Sequence, residues 1–326
     1  MKKVKLIAPA KVNLFLGIGP RRADGYHEVL TAMHALAMHD TLQMFLVEQG
    51  EDICLLEEND PAQPLRQVQV KVESGQGLDV SARSLWFNGI EPLNIPSESN
   101  LACKAVRILA EELGREDDET VRIVIEKHIP YQAGLGGGSS DAAAALLGAA
   151  HLWGVNDHEA IVRAACRLGS DVRFFLEGGC QVLEGRGEIP VSTLETRHDS
   201  LVVVHPNQGV STALAYASFD EKPSFFDAET QALVRTASQA EHIHLANNLQ
   251  EVAWGLVPEI RDLHDYLASF DEVEDLLLCG SGSAIFATCK SYTAAQTVAT
   301  SATKRGYWAR TTTFSSIRAA ILPDKR

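Results

Sequence analysis

The chain has 326 residues, and at about 100–200 residues per domain this length predicts two domains. Hydrophobic residues make up 45% and charged residues 22% of the chain, which supports two hydrophobic cores and excludes a disordered or fibrous protein. The formal net charge of −14 disfavours a nucleic-acid partner, because binding a phosphate backbone requires clustered positive charge.

The cysteines and the apolar segments favour a cytoplasmic protein without a membrane partner. The six cysteines are scattered and form no Cys-x-x-Cys pair, which is typical of reduced residues. The N-terminus starts with lysines, but Pro9, Lys11 and Asn13 interrupt its apolar runs, so a signal peptide is not predicted. No other segment approaches the roughly 20 apolar residues of a membrane span.

The first half of the chain predicts strands followed by a helix. Residues 4–17 alternate in polarity as one or two strands do, and Val68–Val72 alternate within a long polar stretch. Apolar residues at helical spacing predict a helix from Leu101 to Leu113, with Asn100 as a candidate N-cap and Gly114 as its end.

Further elements follow on both sides of a domain boundary that we place near residue 198. An alanine-rich helix is predicted over 141–153, and a second helix over 157–168 ends at Gly169. Strands are predicted over residues 121–125, 201–204, 276–278, 284–288 and 319–322.

A glycine-rich segment between a strand and a helix indicates a polyphosphate site. In Gly134-Leu-Gly-Gly-Gly-Ser-Ser140, glycines allow successive N–H groups to face one concavity, and the following helix N-terminus adds partial positive charge. The segment is not a Walker A loop, because no Gly-Lys-Ser/Thr follows, and a serine at 139 breaks Gly-x-Gly-x-x-Gly. A flexible glycine hinge is the alternative interpretation.

Two charged residues are candidates for catalysis. Lys11 lies in Pro9-Ala-Lys-Val-Asn13 on the first strand, where burial is costly unless the ammonium meets an anion. An edge lysine that reaches solvent is the alternative. Asp171 follows the helix end at Gly169, and taken alone this position is typical of a helix cap.

These three segments, in this order, resemble the GHMP kinases, which include the galacto-, homoserine and mevalonate kinases. The strings Arg22-Ala-Asp-Gly-Tyr-His27 and Ile129-Pro to Ser-Ser-Asp-Ala-Ala143 further resemble the 4-diphosphocytidyl-2-C-methyl-D-erythritol kinases within that superfamily. The resemblance extends through Asp40-Thr-Leu42, Gly209-Val-Ser-Thr212 with Tyr216, and Cys279-Gly-Ser-Gly-Ser283, and it leaves out roughly residues 46–96.

The resemblance implies an α/β two-domain fold. Residues 1–197 would form a domain like ribosomal protein S5 domain 2, and residues 198–326 a ferredoxin-like α+β domain, with the ligands in the cleft between them. The implied reaction transfers the γ-phosphoryl of ATP to the 2-hydroxyl of 4-diphosphocytidyl-2-C-methyl-D-erythritol, in the non-mevalonate route to isoprenoid precursors. Mg²⁺ would be carried by ATP, without a protein metal site. The chain would act on this small molecule as a monomer or homodimer.

The alternatives are another GHMP small-alcohol kinase or a non-catalytic nucleotide-binding regulator on the same fold. The presence of both the lysine and the aspartate disfavours the regulator.

The resemblance also implies roles for individual residues. Asp171 would act as the base toward the substrate hydroxyl, and Lys11 would hold that carboxylate ionised and stabilise charge on the transferred phosphoryl group. The implied ATP-binding residues are Asn100, Leu101 and Lys127 around the base, and Pro130, Tyr131, Gln132, Ala133, Gly134, Leu135, Gly136, Gly137, Gly138, Ser139 and Ser140 around the phosphates. The implied substrate-binding residues are Asn13, Tyr26, His27, Thr212 and Tyr216, with the two tyrosines sandwiching the cytosine ring and His27 bonding its edge.

The chain departs from the family pattern at several positions. Arg173 stands where proline is common, and its charge could aid phosphate binding or face water. Asn247-Asn248 replaces an Asn-Asp pair. The stretch from residue 40 to 98 is unusually long, which predicts an extra hairpin or lid beside the nucleotide base. We interpret Trp86 and Phe87 in that stretch as local core.

Overall fold

The computed structural model describes residues 1–47, 52–57, 66–71, 77–116 and 118–323. Two long antiparallel strands, β1 (Lys2–Arg21) and β2 (His27–Val47), form the centre of an eight-stranded sheet. The sheet also contains β5 (Asp79–Trp86), β6 (Thr120–Lys127), β7 (Cys180–Glu184), β8 (Ile189–Leu194), β10 (Ala246–Asn247) and β14 (Ala320–Ile321).

Helices pack on this sheet and enclose its main core. They are α1 (Leu101–Glu112), α2 (Gly137–Trp153), α3 (His158–Leu168) and α4 (Ser170–Glu177). The predicted first helix is confirmed: the Asn100 side chain caps it by accepting a hydrogen bond from the backbone of Ala102, and the chain turns at Gly114 with a φ of 61°. The alanines of α2 let it lie close to β1 and β2, because their side chains take little space.

Two elements near the glycine-rich segment differ from the sequence predictions. Helix α2 begins at Gly137 rather than at Asp141, so the last two glycines and both serines form its first turn. Asp171 lies within the first turn of α4 and not in a cap beyond the preceding helix. The first turns of α2 and α4 both line the cavity described below.

The second sheet has the strand order of a ferredoxin-like domain. Its members are β9 (Ser200–His205), β11 (Val273–Leu278), β12 (Ile285–Cys289) and β13 (Trp308–Thr313), arranged β11-β12-β9-β13. All neighbouring pairs are antiparallel, and helices follow β9 and β12, which gives the βαββαβ pattern. The helices of this half are α5 (Thr212–Glu221), α6 (Ala228–Thr236), α7 (Gln250–Leu256), α8 (Pro258–Ala268) and α9 (Tyr292–Lys304).

The two halves of the chain are interleaved at the first sheet. Strand β10 pairs parallel with β1, and β14 pairs antiparallel with β1, although both strands follow residue 198. The boundary at residue 198 therefore separates the two sheets but not every strand of them, and it stays a prediction. The interleaving fixes the position of the second sheet relative to β1.

The long stretch before α1 contains an antiparallel pair of strands that is separate from the first sheet. Strands β3 (Asp52–Glu57) and β4 (Arg66–Lys71) form a separate two-stranded sheet. Val72, the end of the strand predicted there, lies outside the described residues. Strand β5 pairs parallel with β6 and brings Trp86 to the end of the sheet. Within the described parts of the chain, no helix is long and apolar enough to span a membrane.

Candidate active site

A cavity of about 720 Å³ lies where the glycine-rich segment, strand β1, helix α4 and helix α5 meet. Its walls include both residues proposed for catalysis, Lys11 and Asp171. The loop of residues 279–283, within the connection between β11 and β12, contributes Gly280 and Ser281 to the same walls. The cavity thus draws on both sheets.

Lys11 is held by a chain of hydrogen bonds along β1 and β2. Irregularities in the pairing of β1 with β2 flank Lys11 and Asn13, and the Lys11 ammonium donates to Asn13 Oδ1 at 2.8 Å. Asn13 Nδ2 donates to Thr31 Oγ1 at 2.8 Å, and Thr31 in turn donates to the Phe15 carbonyl at 2.7 Å. Lys11 is only 4% exposed, so this chain fixes a buried cation in one orientation.

Asp171 lies opposite Lys11 across the end of the cavity. Its Oδ2 is 3.5 Å from Lys11 Nζ, and its side chain remains 30% exposed. The carboxylate therefore has a neighbouring cation and an open side on which a hydroxyl group can approach. A position in the first turn of α4 adds the favourable field of a helix N-terminus.

The glycine-rich segment forms a tight loop that leads into α2, and we call residues 130–136 the phosphate loop. Gly134 and Gly136 adopt φ values of 75° and 72°, in the left-handed region that favours glycine. A Cβ at Gly136 would lie 2.7 Å from the ring of Phe175, so only glycine fits there. The loop is tied to β1, because the Lys11 backbone N–H donates to the Leu135 carbonyl at 3.0 Å. It thus presents the N-terminus of a 17-residue helix to the cavity beside Lys11.

At the far end of the cavity, a second lysine is paired with two buried carboxylates. Lys127 Nζ donates to Asp40 Oδ2 and, at 2.6 Å, to Asp141 Oδ2. Burial alone would lower the pKa of Lys127, but the two carboxylates outweigh it and raise the pKa above its ordinary value. Burial raises the pKa of Asp141, with the Asp40 charge acting in the same direction and Lys127 opposing both. Trp86, Asn100 and Leu101 line this end as well.

Only some of the residues expected to bind the substrate line the cavity. Thr212 and Tyr216 on α5 line the cavity, and Thr212 Oγ1 lies 2.9 Å from Ser281 Oγ. Burial raises the pKa of Tyr216 to about 12, and the nearby Asp171 charge adds to the shift. The phenol is therefore neutral near pH 7 and offers a flat ring face.

Tyr26 and His27, which were expected to bind the substrate, do not line the cavity. Tyr26 is 57% exposed, and the Arg186 guanidinium lies 4.8 Å from its ring centroid. His27 is buried beside the Tyr216 ring, and its Nε2 is 2.7 Å from Asp220 Oδ1. Because a carboxylate only accepts, His27 Nε2 carries the hydrogen of this bond.

Most residues expected from the sequence converge on the cavity. The structure does not place Ser140 in the wall: its side chain is fully buried, and its Oγ has no partner among the described residues. The expected residues that do line the cavity are Lys11, Asn13, Asn100, Leu101, Lys127, Pro130, Tyr131, Gln132, Ala133, Gly134, Leu135, Gly136, Gly137, Gly138, Ser139, Asp171, Thr212 and Tyr216.

Several functional candidates were missed by the sequence analysis. Arg186 and Asp141 line the cavity, and Thr31 orients Asn13 from behind. Trp86 was interpreted as core, yet this buried side chain also lines the end of the cavity that contains Lys127. Phe87 does pack against a small cluster of buried apolar side chains that includes Phe45 and Leu85, and its ring stacks on His128. The sequence signal for Trp86 was its large aromatic side chain, which the structure places at the last residue of β5.

Arg173, at a position where proline is common, does not line the cavity. Its Nη1 donates to the Glu188 carbonyl at 3.3 Å, and so it supports the turn that carries Arg186. Arg186 is held within that turn by the Glu188 carboxylate, which accepts from the Arg186 backbone N–H at 2.6 Å.

Comparison with known proteins agrees with this geometry. Residues 100–179 match the family model "GHMP kinases N terminal domain", which covers α1 through the phosphate loop to α4. The chain is 32% identical over 310 residues to the 4-diphosphocytidyl-2-C-methyl-D-erythritol kinase of Desulfitobacterium hafniense, with 94% of this chain and 93% of the relative covered. The chain belongs to the 4-diphosphocytidyl-2-C-methyl-D-erythritol kinase family.

Further relatives support this membership. The kinase of the same name from a Polaromonas species is 39% identical over 286 residues, which cover 86% of this chain and 81% of the relative. The crystal structure of a 4-(cytidine 5'-diphospho)-2C-methyl-D-erythritol kinase matches with a TM-score of 0.67 at 29% identity, over 95% of this chain and 99% of that one. A homoserine kinase from Cytophaga hutchinsonii also gives a TM-score of 0.67, and at 15% identity it shows the shared GHMP kinase fold alone.

Proposed function

We propose that this kinase transfers the γ-phosphoryl group of ATP to the 2-hydroxyl of 4-diphosphocytidyl-2-C-methyl-D-erythritol, in the non-mevalonate route to isoprenoid precursors. The observation that carries the proposal is the Lys11–Asp171 pair, 3.5 Å apart, at the end of a cavity whose wall is the phosphate loop. The membership of the chain in a family named for this reaction supports the choice of substrate.

ATP would lie along the cavity with its phosphates at the phosphate loop and its base toward Trp86 and Leu101. The N-terminal amides of α2 favour the phosphate charge, and Lys11 is oriented by Asn13 toward the place where the γ-phosphoryl group would sit. Positioning and charge neutralisation supply most of the rate in phosphoryl transfer, and this site provides both.

Asp171 would accept the proton of the attacking hydroxyl. Its open side gives the alcohol access, and the Lys11 ammonium lies 3.5 Å from its Oδ2. After transfer, the proton can leave to solvent from this half-open position. Lys11 would contact both Asp171 and the phosphoryl group, so a single cation would serve the two charged partners of the step.

Mg²⁺ would be bound by the phosphate oxygens of ATP, and there it would neutralise charge on the transferred group. The Ser139 hydroxyl, in the first turn of α2 and in the cavity wall, fits a ligand of that ion or of a phosphate oxygen. The hydroxyl is a hard oxygen donor, as Mg²⁺ prefers.

The cytidine end of the substrate would lie against Tyr216. Its neutral ring offers a stacking face, with a contribution of about 1–3 kcal/mol per base in comparable sites. Arg186 lines the same part of the cavity and offers a guanidinium to the diphosphate. The exposed ring of Tyr26 is available on the side of Arg186, and a sandwich of the base between Tyr26 and Tyr216 stays a prediction.

The direct test is ADP release by the purified protein with MgATP, with and without 4-diphosphocytidyl-2-C-methyl-D-erythritol. We expect release that depends on this substrate, and a product carrying the new phosphate at the 2-position by ³¹P NMR. ATP binding without this turnover would contradict the assigned substrate and favour another small-alcohol kinase or a regulator. Mevalonate and homoserine serve as matched alcohol controls, for which we expect no release.

A further inference from the structure

Asn247, the first residue of the Asn-Asn pair that departs from the family pattern, bonds the end of one sheet to a loop of the other. It is buried on β10 beside β1. Its Nδ2 donates to the Leu278 carbonyl at 3.0 Å and to the Gly280 carbonyl at 2.7 Å, and its Oδ1 accepts from the Leu249 backbone N–H at 2.9 Å. Both polar atoms of the amide are therefore used, and both donated bonds reach the 279–283 loop or the strand end that leads into it.

The 279–283 loop lies directly on the phosphate loop. The backbone N–H groups of Ser283 and Ala284 donate to the Gln132 and Ala133 carbonyls at 3.3 and 3.2 Å. A Cβ at Gly134 would lie 1.8 Å from a carbonyl oxygen of the 279–283 loop, so the two backbones are in contact there. The position of the 279–283 loop therefore determines the path of the phosphate loop.

The 279–283 loop is held both by its own backbone and by a partner outside it: the Gly282 N–H donates to the Cys279 carbonyl at 2.8 Å, and Asn247 bonds the loop from β10. Gly280 and Gly282 adopt φ values of 57° and 94°, so the backbone leaves the strand conformation between β11 and β12. Its buried carbonyls then need donors other than the strand ladder, and an unpaired one carries a large desolvation cost. Asn247 supplies the donors to Gly280 and Leu278, and the parallel pairing of β10 with β1 anchors Asn247 itself.

We propose that Asn247 is a positioning residue for the phosphates of ATP, acting through the 279–283 loop on the phosphate loop. This inference rests on the proposed function, because it requires the phosphates of ATP at the phosphate loop. It predicts that loss of the two donated bonds weakens the binding of di- and triphosphates while the contacts with the adenosine end persist. The end of the cavity proposed for the base is formed by other elements, namely Trp86 on β5, Leu101 on α1 and Lys127 on β6.

The test uses the full-length protein with Asn247→Asp and Asn247→Ser. Aspartate keeps the size of the side chain but replaces both donors by an acceptor, and serine retains at most one donor. With Asn247→Asp we expect the KM for MgATP and the Kd for ADP to rise about tenfold, and the Kd for AMP to change less than about twofold, since one to two hydrogen bonds are lost. Asn247→Ser keeps the test valid if the aspartate variant does not fold, and we expect an intermediate rise.

Asn248→Ala is the matched control. The Asn248 side chain makes three hydrogen bonds to backbone groups of Ile18 and Ser224, away from the 279–283 loop. It should lower Tm by an amount similar to the Asn247 variants, with an unchanged Kd for ADP.

Three results would overturn the inference. An unchanged Kd for ADP in a folded Asn247 variant would show that the loop contact does not position the phosphates. An equal loss for AMP and ADP, or a Kd increase in Asn248→Ala as large as in Asn247→Asp, would indicate general loosening instead. A wild-type protein that binds neither nucleotide would overturn the proposed function itself, which is a distinct result because it appears before any variant is compared.

Discussion

The two ends of the cavity each contain a buried lysine facing carboxylates, and the arrangements differ. At the phosphoryl-transfer end, Lys11 faces one carboxylate at 3.5 Å, and that carboxylate is partly open to solvent. At the base end, Lys127 is held between Asp40 and Asp141, which are both buried.

The number and exposure of the carboxylates explain what each lysine can do. Lys127 has two ammonium hydrogens committed to carboxylates, so it fixes β6 to β2 and α2 and has little freedom to meet a ligand. Lys11 donates one short bond to Asn13 and stands at a longer distance from Asp171. The same residue type is therefore structural at one end and available for reaction at the other. Four changes test or sharpen this contrast.

The largest effect is expected for Lys127→Met. The substitution leaves two buried carboxylates without their cation, which costs about 3–5 kcal/mol of unfolding free energy. Urea denaturation monitored by far-UV circular dichroism measures this change. Lys104→Met, at an exposed position on α1, is the control and should stay within about 0.5 kcal/mol. A wild-type stability for Lys127→Met would contradict the structural role.

Lys11→Met should lower kcat about 100-fold, with a smaller loss of stability. The variant removes the cation shared by Asp171 and the phosphoryl group, and one well-placed charge contributes about that factor in the transition state. Steady-state kinetics at saturating ATP measure it. The exposed Lys5 on the same strand provides the matched Lys5→Met control. Equal kcat values for the two variants would exclude Lys11 from the reaction.

Thr31→Val should lower kcat about tenfold by disturbing Asn13 behind Lys11. Valine keeps the shape of threonine but removes the acceptor of the Asn13 amide, so the side chain that orients Lys11 is free to turn. Thr31→Ser retains the hydroxyl and should restore most of kcat. A valine variant with wild-type kcat would show that Lys11 is oriented without this chain.

The smallest effect is a change in pH dependence with Asp141→Asn. The pKa of Asp141 is raised in the folded protein, so its protonated form contributes stability that is present below pH 4 and lost as the pH rises toward about 7. The asparagine variant should lack this decline between pH 5 and 8. Urea midpoints at the two pH values measure it, with Asp262→Asn on the exposed face of α8 as control. Parallel declines in variant and wild type would show that Asp141 does not titrate in this range.

The sequence predicted best those helices whose ends are marked by capping residues or glycines. Helices α1 and α3 lie where periodicity and their Asn100 and Asp157 caps place them. The start of α2 was placed at Asp141, where the alanine-rich run begins, whereas the helix begins after Gly136 in the left-handed conformation without a side-chain cap. Strand β2 was missed, since nearly all of its residues are buried and no alternation of polarity marks it.

The residues of the site likewise divide into those that a local motif marks and those that only the fold brings together. Lys11, Asp171 and the phosphate loop could be assigned because each lies in a compact motif. The Lys127–Asp40 contact joins residues 87 positions apart, and Asn247 reaches Gly280 across 33 positions, so neither can be read from local sequence. The pairing of His27 with Asp220 likewise needs the fold, because it depends on how α5 packs beside the end of β1.

The most direct test of the contrast between the two ends is the rate of the phosphoryl-transfer step in the Asp171→Asn variant. Rapid-quench single turnover with saturating MgATP and 4-diphosphocytidyl-2-C-methyl-D-erythritol isolates that step, and calorimetry gives the Kd for ADP of the same sample. We predict a rate lowered about 10³-fold with a Kd for ADP within about twofold of wild type, since a general base contributes about 10²–10⁴ to the rate. A variant that transfers phosphate at the wild-type rate would contradict the assignment of Asp171 as the base.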